Sequence, residues 1–293
     1  MQDTILFILN PISGFRGTLR KRIRYEIVMN IRQKKINGEI RYSRYSGHSA
    51  EIARDAVKEG YKYIVVAGGD GSINEVAKEL VGTDVALGII PAGSGNGLAH
   101  SLNIPFNVKK CLEIIKRKNV QFADVIQINE RVAVSVAGIG FDANVANKYS
   151  KYKRRGFMSY LKSVIEEYFD FKGEKVKIIT DDFESEVEVF SVVFANSNQF
   201  GYNFKIAPKA SVFDGFIDVI LIKPFPLIAA PFSSMRVFSG QADKSVYISS
   251  FKTKHIKVIR EKIGNVNLDG DAITIDNQVI EAKVLEKSLK III

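Results

Sequence analysis

Two glycine-rich turns, GGDGSINEVA (68–77) and PAGSGNGLAHSL (91–102), each follow a β-branched apolar run and open straight into a helical pattern. A strand that turns through glycines into a helix leaves backbone N–H groups at the positive end of that helix, and its repetition means parallel βαβ units. TILFIL (4–9), EIRYSRY (39–45), YKYIVVAGG (61–69) and VALGIIPAG (85–93) read as strands. Residues 17–35, 48–60 and 72–81 between them carry apolar side chains at three- and four-residue spacing and read as helices. The first half is therefore expected to be a Rossmann-like α/β domain over residues 1–122. A third turn, NPISG (10–14), ends the first strand, and ligands of open α/β sheets bind at this carboxyl edge.

From Gln121 the pattern changes to closely spaced, turn-punctuated runs, among them FADVIQI (122–128), SEVEVFSVVFAN (185–196), FIDVILI (216–222) and KVLEKSLKIII (283–293). These predict a β-rich sandwich or barrel over 123–293, interrupted by one long helix at 154–171. With 46% hydrophobic and 25% charged residues among 293, either half can bury its own core. The net charge of +10 favours an anionic partner: nucleotide phosphate, an acidic bilayer or nucleic acid. RNP-like aromatic motifs and zinc-ligand spacing are absent from the sequence, which speaks against nucleic acid. The lone Cys111 excludes an internal disulfide, fits a reducing cytosol, and reads as core packing on an amphipathic helix. No window has the eighteen or so apolar residues needed to span a bilayer.

The turn at Gly68 suits phosphate, because glycines admit close approach of backbone to an anion. Asp70 is out of place against phosphate unless it holds Mg²⁺ or accepts a proton. Taken alone, GGDG also reads as a helix cap on a tight turn. Near the end, LDGDAI offers two carboxylates. If the stretch is extended, Asp269 and Asp271 project to one side, although DG is equally a hairpin signal.

NPISG, GGDGSINEVA, PAGSGNGLA, KASVFDGFIDV and LDGDAI, in that order and over nearly the whole chain, resemble the diacylglycerol kinase catalytic-domain family of lipid kinases. PAGSGN looks like the sphingosine kinase version of its loop, and GGDG is shared with NAD kinases. The resemblance implies a two-domain kinase with ATP in the interdomain cleft and a β-rich lipid-binding half. On it, Asn10, Pro11, Ser13, Gly14, Gly68, Gly69, Asp70, Gly71, Ser72, Asn74 and Ser94 match nucleotide-contacting positions, with Ser43 where the family has a threonine. Asp214, with main-chain groups of Ser211 and Phe216, matches a Mg²⁺ site. Asp218 assists there or faces solvent. Asp124 matches an acid in a Mg²⁺ and water network with Asp70. Asp271, Asp269 and, in the sphingosine kinase branch, Asp70 are candidates for the base. Asp271 stands where the family has Glu, one methylene longer. His48 reads as a cap or surface residue.

A lipid acceptor implies a cytoplasmic enzyme working peripherally at an anionic membrane, alone or as a homodimer. Lys148, Lys151, Lys153, Arg154 and Arg155 beside aromatics suit headgroups, or form a solvated helix start. The apolar stretch 222–232 lines an acyl-chain entrance or, on balance, plugs the sandwich. An NAD kinase and a non-enzymatic nucleotide-regulated lipid-binding protein are the rival readings.

Overall fold

In a computed structural model, residues 3–11, 17–152, 157–201 and 204–293 are described. The chain forms two compact units, Met1–Asp124 with Glu286–Ile293, and Val125–Leu285. The junction falls two residues beyond the expected 122. The larger correction is at the end: the last eight residues, assigned from their β pattern to the second half, belong to the first unit.

The first unit alternates as expected: β1 (Ile5–Leu9), α1 (Gly17–Arg32), β2 (Gly38–Tyr42), α2 (His48–Lys58), β3 (Tyr63–Gly68), α3 (Asp70–Leu80), β4 (Ala86–Pro91), α4 (Gly97–Ser101) and α5 (Val108–Arg117). The strands pair in parallel in the order β2-β1-β3-β4. β1 and β4 are buried along their whole length, as parallel strands covered on both faces must be. Each such side chain contributes about 1.5–3 kcal/mol. Asn107 caps α5 by accepting from the amides of Lys109 and Lys110. Cys111 is core as expected, its thiol bonding the Pro105 carbonyl and pushed up to about 11 by burial.

β5 (Val120–Ile128) leads into the second unit, which continues with β6 (Arg131–Ala133), β7 (Val136–Gly140), α6 (Phe141–Ser150), α7 (Phe157–Asp170), β8 (Glu174–Thr180), β9 (Glu184–Val189), β10 (Ser191–Ala195), β11 (Ile217–Ile222), α8 (Ala230–Phe238), β12 (Ile248–Thr253), β13 (His255–Arg260), β14 (Gly264–Leu268), β15 (Asp271–Ile275) and β16 (Val279–Ile292). Among the described residues three helices, not one, interrupt the strands. A six-stranded antiparallel sheet runs β12-β11-β10-β7-β14-β15, and β16, β13, β8 and β9 pair antiparallel in another. Ile126, Ile139, Phe194, Val258, Leu268 and Ile280 share the core that both sheets contribute to. SEVEVFSVVFAN, read as one run, is two strands in different sheets, β9 and β10, with the buried Phe190 at the corner. The end of β16 lies parallel to β4, Lys290 opposite Ala86 and Ile291 opposite Leu87.

Candidate active site

In the first unit β1, β3 and β4 all end at the same sheet edge, and the expected turns follow them there. Asn10 follows β1 and donates from Nδ2 to Ser72 Oγ at 2.8 Å, so the NPISG and GGDG turns are tied by side chains. The Ser43 amide bonds the Leu9 carbonyl, and Ser43 is buried at the same edge. Pro11 is exposed, whereas Ser13 and Gly14 lie outside the described residues.

The glycines have a reason beyond the approach of phosphate. A Cβ built on Gly93 would lie 2.4 Å from Gly69 Cα, and one on Gly69 would lie 3.0 Å from Gly93 Cα. The two loops touch backbone to backbone, which any side chain prevents. Gly68 is similarly closed by Ser72, its Cβ position 2.8 Å from that of the serine. Gly71 has open space around it, and Ser94 is exposed, while Ser72 and Asn74 are buried.

Asp70 is not the bare carboxylate the sequence suggests. Its two oxygens accept from the amides of Asn96 and Gly97, each at 2.6 Å, at the N-terminal end of α4. A carboxylate is favoured there by donors that lack intrahelical partners. Asn96 itself, at φ 53°, accepts from the Gly93 amide and donates to the Gly93 carbonyl. Asp70 thus joins the GGDG turn to the PAGSGN turn. Asp124 is buried and accepts from the Lys287 amide at 2.7 Å, where the returning chain takes φ 51°. His48 accepts from the Arg44 amide and stacks on Tyr45, a local role as expected.

In the second unit LDGDAI is a hairpin turn between β14 and β15, with φ 57° at Asp269 and 94° at Gly270. The expected same-side projection of Asp269 and Asp271 is corrected: a two-residue turn with both central φ positive separates them. The Asp269 carboxylate accepts from the amides of Val134, Ser135 and Val136 at 3.0, 2.7 and 3.2 Å. Asp271 opens β15 and is exposed, and among the described residues no hydrogen bond or ion pair holds its carboxylate.

The Asp214 turn has oxygen donors of the kind Mg²⁺ takes, but a cation is already present. Lys252 bonds Asp214 and lies 3.2 Å from Asp218, while the Phe216 amide donates to Asp214 Oδ1. The Ser211 hydroxyl accepts from the Phe213 amide. Asp218 is buried rather than solvent-facing, and desolvation raises its pKa. Among the described residues no group of three or more His, Cys, Asp or Glu side chains is placed to hold a metal. As folded, the single ammonium of Lys252 is shared by the Asp214 and Asp218 carboxylates.

Residues 135–293 match the YegS C-terminal NAD kinase beta sandwich-like domain, and residues 4–128 match the diacylglycerol kinase catalytic domain. The chain belongs to the diacylglycerol kinase catalytic-domain family. Within this lipid kinase family, a relative named diacylglycerol kinase in Bacillus subtilis (strain 168) is 28% identical over 90% of this chain and 88% of its own. One named probable lipid kinase YegS-like in Enterobacter sp. (strain 638) is 24% identical over 92% and 89%. A crystal structure titled as a diacylglycerol kinase from Bacillus anthracis str. Sterne superposes with a TM-score of 0.72 at 19% identity, covering 99% of this chain and 96% of that one. That likeness is one of fold.

Sequence reading picked out the PAGSGN turn without naming Gly93 and Asn96 in it, and it missed Asp142, Ser191 and Asn267. Asp142 had a legible signal, since GIGFDA is another strand, glycine turn and helix start. Asn267 and Ser191 had none, because nothing in their local pattern distinguishes them from strand residues.

Proposed function

We propose that this member of the lipid kinase family transfers the γ-phosphoryl group of ATP to the hydroxyl of a lipid such as a diacylglycerol or sphingoid base. The observation that carries this reading is the backbone contact of the two glycine turns at the ends of β3 and β4, locked by Asp70 on the amides of Asn96 and Gly97. Catalysis of phosphoryl transfer is mostly positioning and charge stabilisation, and a rigid double loop at a parallel sheet edge supplies the first.

In the proposed step the lipid hydroxyl oxygen bonds the γ-phosphorus as the bond from that phosphorus to the β,γ-bridging oxygen breaks. ADP leaves, and the hydroxyl proton passes to Asp271. Of the candidate bases Asp271 is the one whose carboxylate no group among the described residues holds. Asp70 and Asp269 are each occupied by backbone amides, which suits them to holding loops. Mg²⁺ bound with ATP would supply charge neutralisation on the triphosphate. Asp271→Asn is expected to lower kcat on the order of 100-fold or more while the ATP dissociation constant stays within about twofold. An unchanged kcat would remove Asp271 as base.

The proposed acceptor lives in a bilayer, and the second unit offers an apolar face to meet it. Ile228, in the turn before α8, and Phe232 and Met235 along it are 80%, 69% and 69% exposed. Of the stretch 222–232 expected to plug the sandwich, Ile222 and Phe225 pack on buried residues, whereas Leu227, Ile228 and Phe232 are exposed. Met158, Leu161, Ile165 and Phe169 form an exposed stripe on α7, joined to the same region by Tyr168, whose hydroxyl donates to the Phe225 carbonyl. Large apolar side chains flanked by lysine and arginine suit an anionic membrane surface. Of the basic segment, Lys148 is paired with Glu167 and Asp170, Lys151 is exposed, and residues 153–155 lie outside the described ones. No helix among the described residues is long and apolar enough to cross a membrane.

A further inference from the structure

The turn that carries Asp271 is braced from a second side by residues with no place in the reading above. Asn267, buried in β14, accepts from the Gly270 amide at 2.8 Å through Oδ1 and donates from Nδ2 to Asp142 Oδ2 at 3.1 Å. Asp142 opens α6, and its other oxygen takes the Ser191 hydroxyl at 2.8 Å. That hydroxyl also lies 2.9 Å from the Ile139 carbonyl. The carboxyl presses on bare backbone: a Cβ on Gly138 would sit 2.3 Å from Asp142 Oδ2, and Gly138 is the register partner of Asn267.

We infer that Asn267 is a positioning residue for phosphoryl transfer, fixing the Gly270 peptide, and with it the direction of the Asp271 carboxylate, against Asp142. This rests on the reading of Asp271 as the base. Three features support it. Asn267 spans from the Gly270 amide to Asp142 of α6, so its two ends must be satisfied together. Its amide cannot be reversed without setting the Nδ2 donor against the Gly270 N–H and Oδ1 against the Asp142 carboxyl. Burial raises the Asp142 pKa to about 6, with the Ser191 and Asn267 bonds and the charge of Arg260, itself paired with Glu174, acting in the opposite sense. A protonated Asp142 can donate to Ser191 Oγ, leaving that hydroxyl for the Ile139 carbonyl. In either protonation state Asp142 Oδ2 remains an acceptor for Asn267.

The direction of each bond makes the relay testable by exchanging its partners. Asn267→Ala should lower kcat on the order of 10- to 100-fold, as a misplaced base does, with KM for ATP within about twofold. Asn267→Asp keeps the acceptor for Gly270 but faces Asp142 with a second carboxylate. The two then share one proton, so its kcat should fall at pH 8 and recover towards pH 6. The double variant Asp142→Asn/Asn267→Asp restores one donor and one acceptor in exchanged places and should return kcat to within about threefold of wild type at pH 8. Turnover is measured with labelled ATP and mixed micelles of dioleoylglycerol and sphingosine, beside thermal melting and the Asp271→Asn variant. If Asn267→Ala keeps wild-type kcat while Asp271→Asn is inactive, the relay is wrong and the base stands. If the double variant melts like wild type yet is no faster than Asn267→Asp, the relay is also wrong. Full activity of Asp271→Asn overturns both.

Discussion

Three aspartates that look alike in the sequence differ in what their oxygens meet. Asp70 and Asp269 each gather backbone amides from another segment, and Asp271 gathers none among the described residues. A carboxylate whose oxygens already accept backbone N–H bonds is committed to holding that segment in place, which is why the base is assigned to Asp271. Being one methylene shorter than the family's Glu, it depends more on the turn beneath it. Asp142 shows the opposite environment, with a pKa raised to about 6 from an ordinary 3.8. The folded protein therefore binds this proton more tightly than the unfolded chain does. Its contribution is fully present below about pH 4 and is lost as pH rises through 6. The expected outcome is that the melting temperature of Asp142→Asn gains on wild type between pH 4 and 7. Parallel melting curves across that range would contradict the environment described.

At the scale of elements, the two glycine turns act as one piece. Gly93→Ala should push the loops apart, because its Cβ has nowhere to go but onto Gly69 Cα. The expected result is at least tenfold weaker ATP binding by calorimetry, with the β-rich unit's own melting unchanged. Unchanged ATP affinity would detach these loops from the nucleotide. Most of this unit was legible in the sequence because strand, turn and helix repeat locally, and each glycine turn announces an edge. The ends of the chain were not. KSLKIII reads as a strand whichever unit it joins, and only pairing beside β4 settles which. Phe190 hides a sheet-to-sheet corner inside an unbroken β-run, since period two carries no information about where a strand changes partners. Asp269 and Asp271 were misread as neighbours on one face because i and i+2 share a side only in an extended chain, and Gly270 at φ 94° ends that. Asn267 was invisible, as a buried asparagine in a strand declares itself only through partners distant in sequence.

For the molecule as a whole, the net charge of +10 and the exposed apolar residues of α7 and α8 bear on where it works. Charge draws a protein to an anionic surface and apolar side chains hold it there. Ile228→Glu with Phe232→Glu should reduce sedimentation with phosphatidylglycerol vesicles severalfold, leaving melting temperature and ATP binding unchanged because these side chains contact solvent. Wild-type sedimentation would mean that this face does something else. The sandwich matches a domain named for its likeness to that of NAD kinases, which makes NAD the natural competing acceptor. The most direct measurement is incubation with γ-labelled ATP, Mg²⁺ and a total lipid extract, in parallel with NAD. Label recovered in an extractable lipid phosphomonoester, lost with Asp271→Asn and absent from NAD, is the result expected. Label in NADP with none in lipid, or ATP bound and no phosphate transferred to anything, would contradict it.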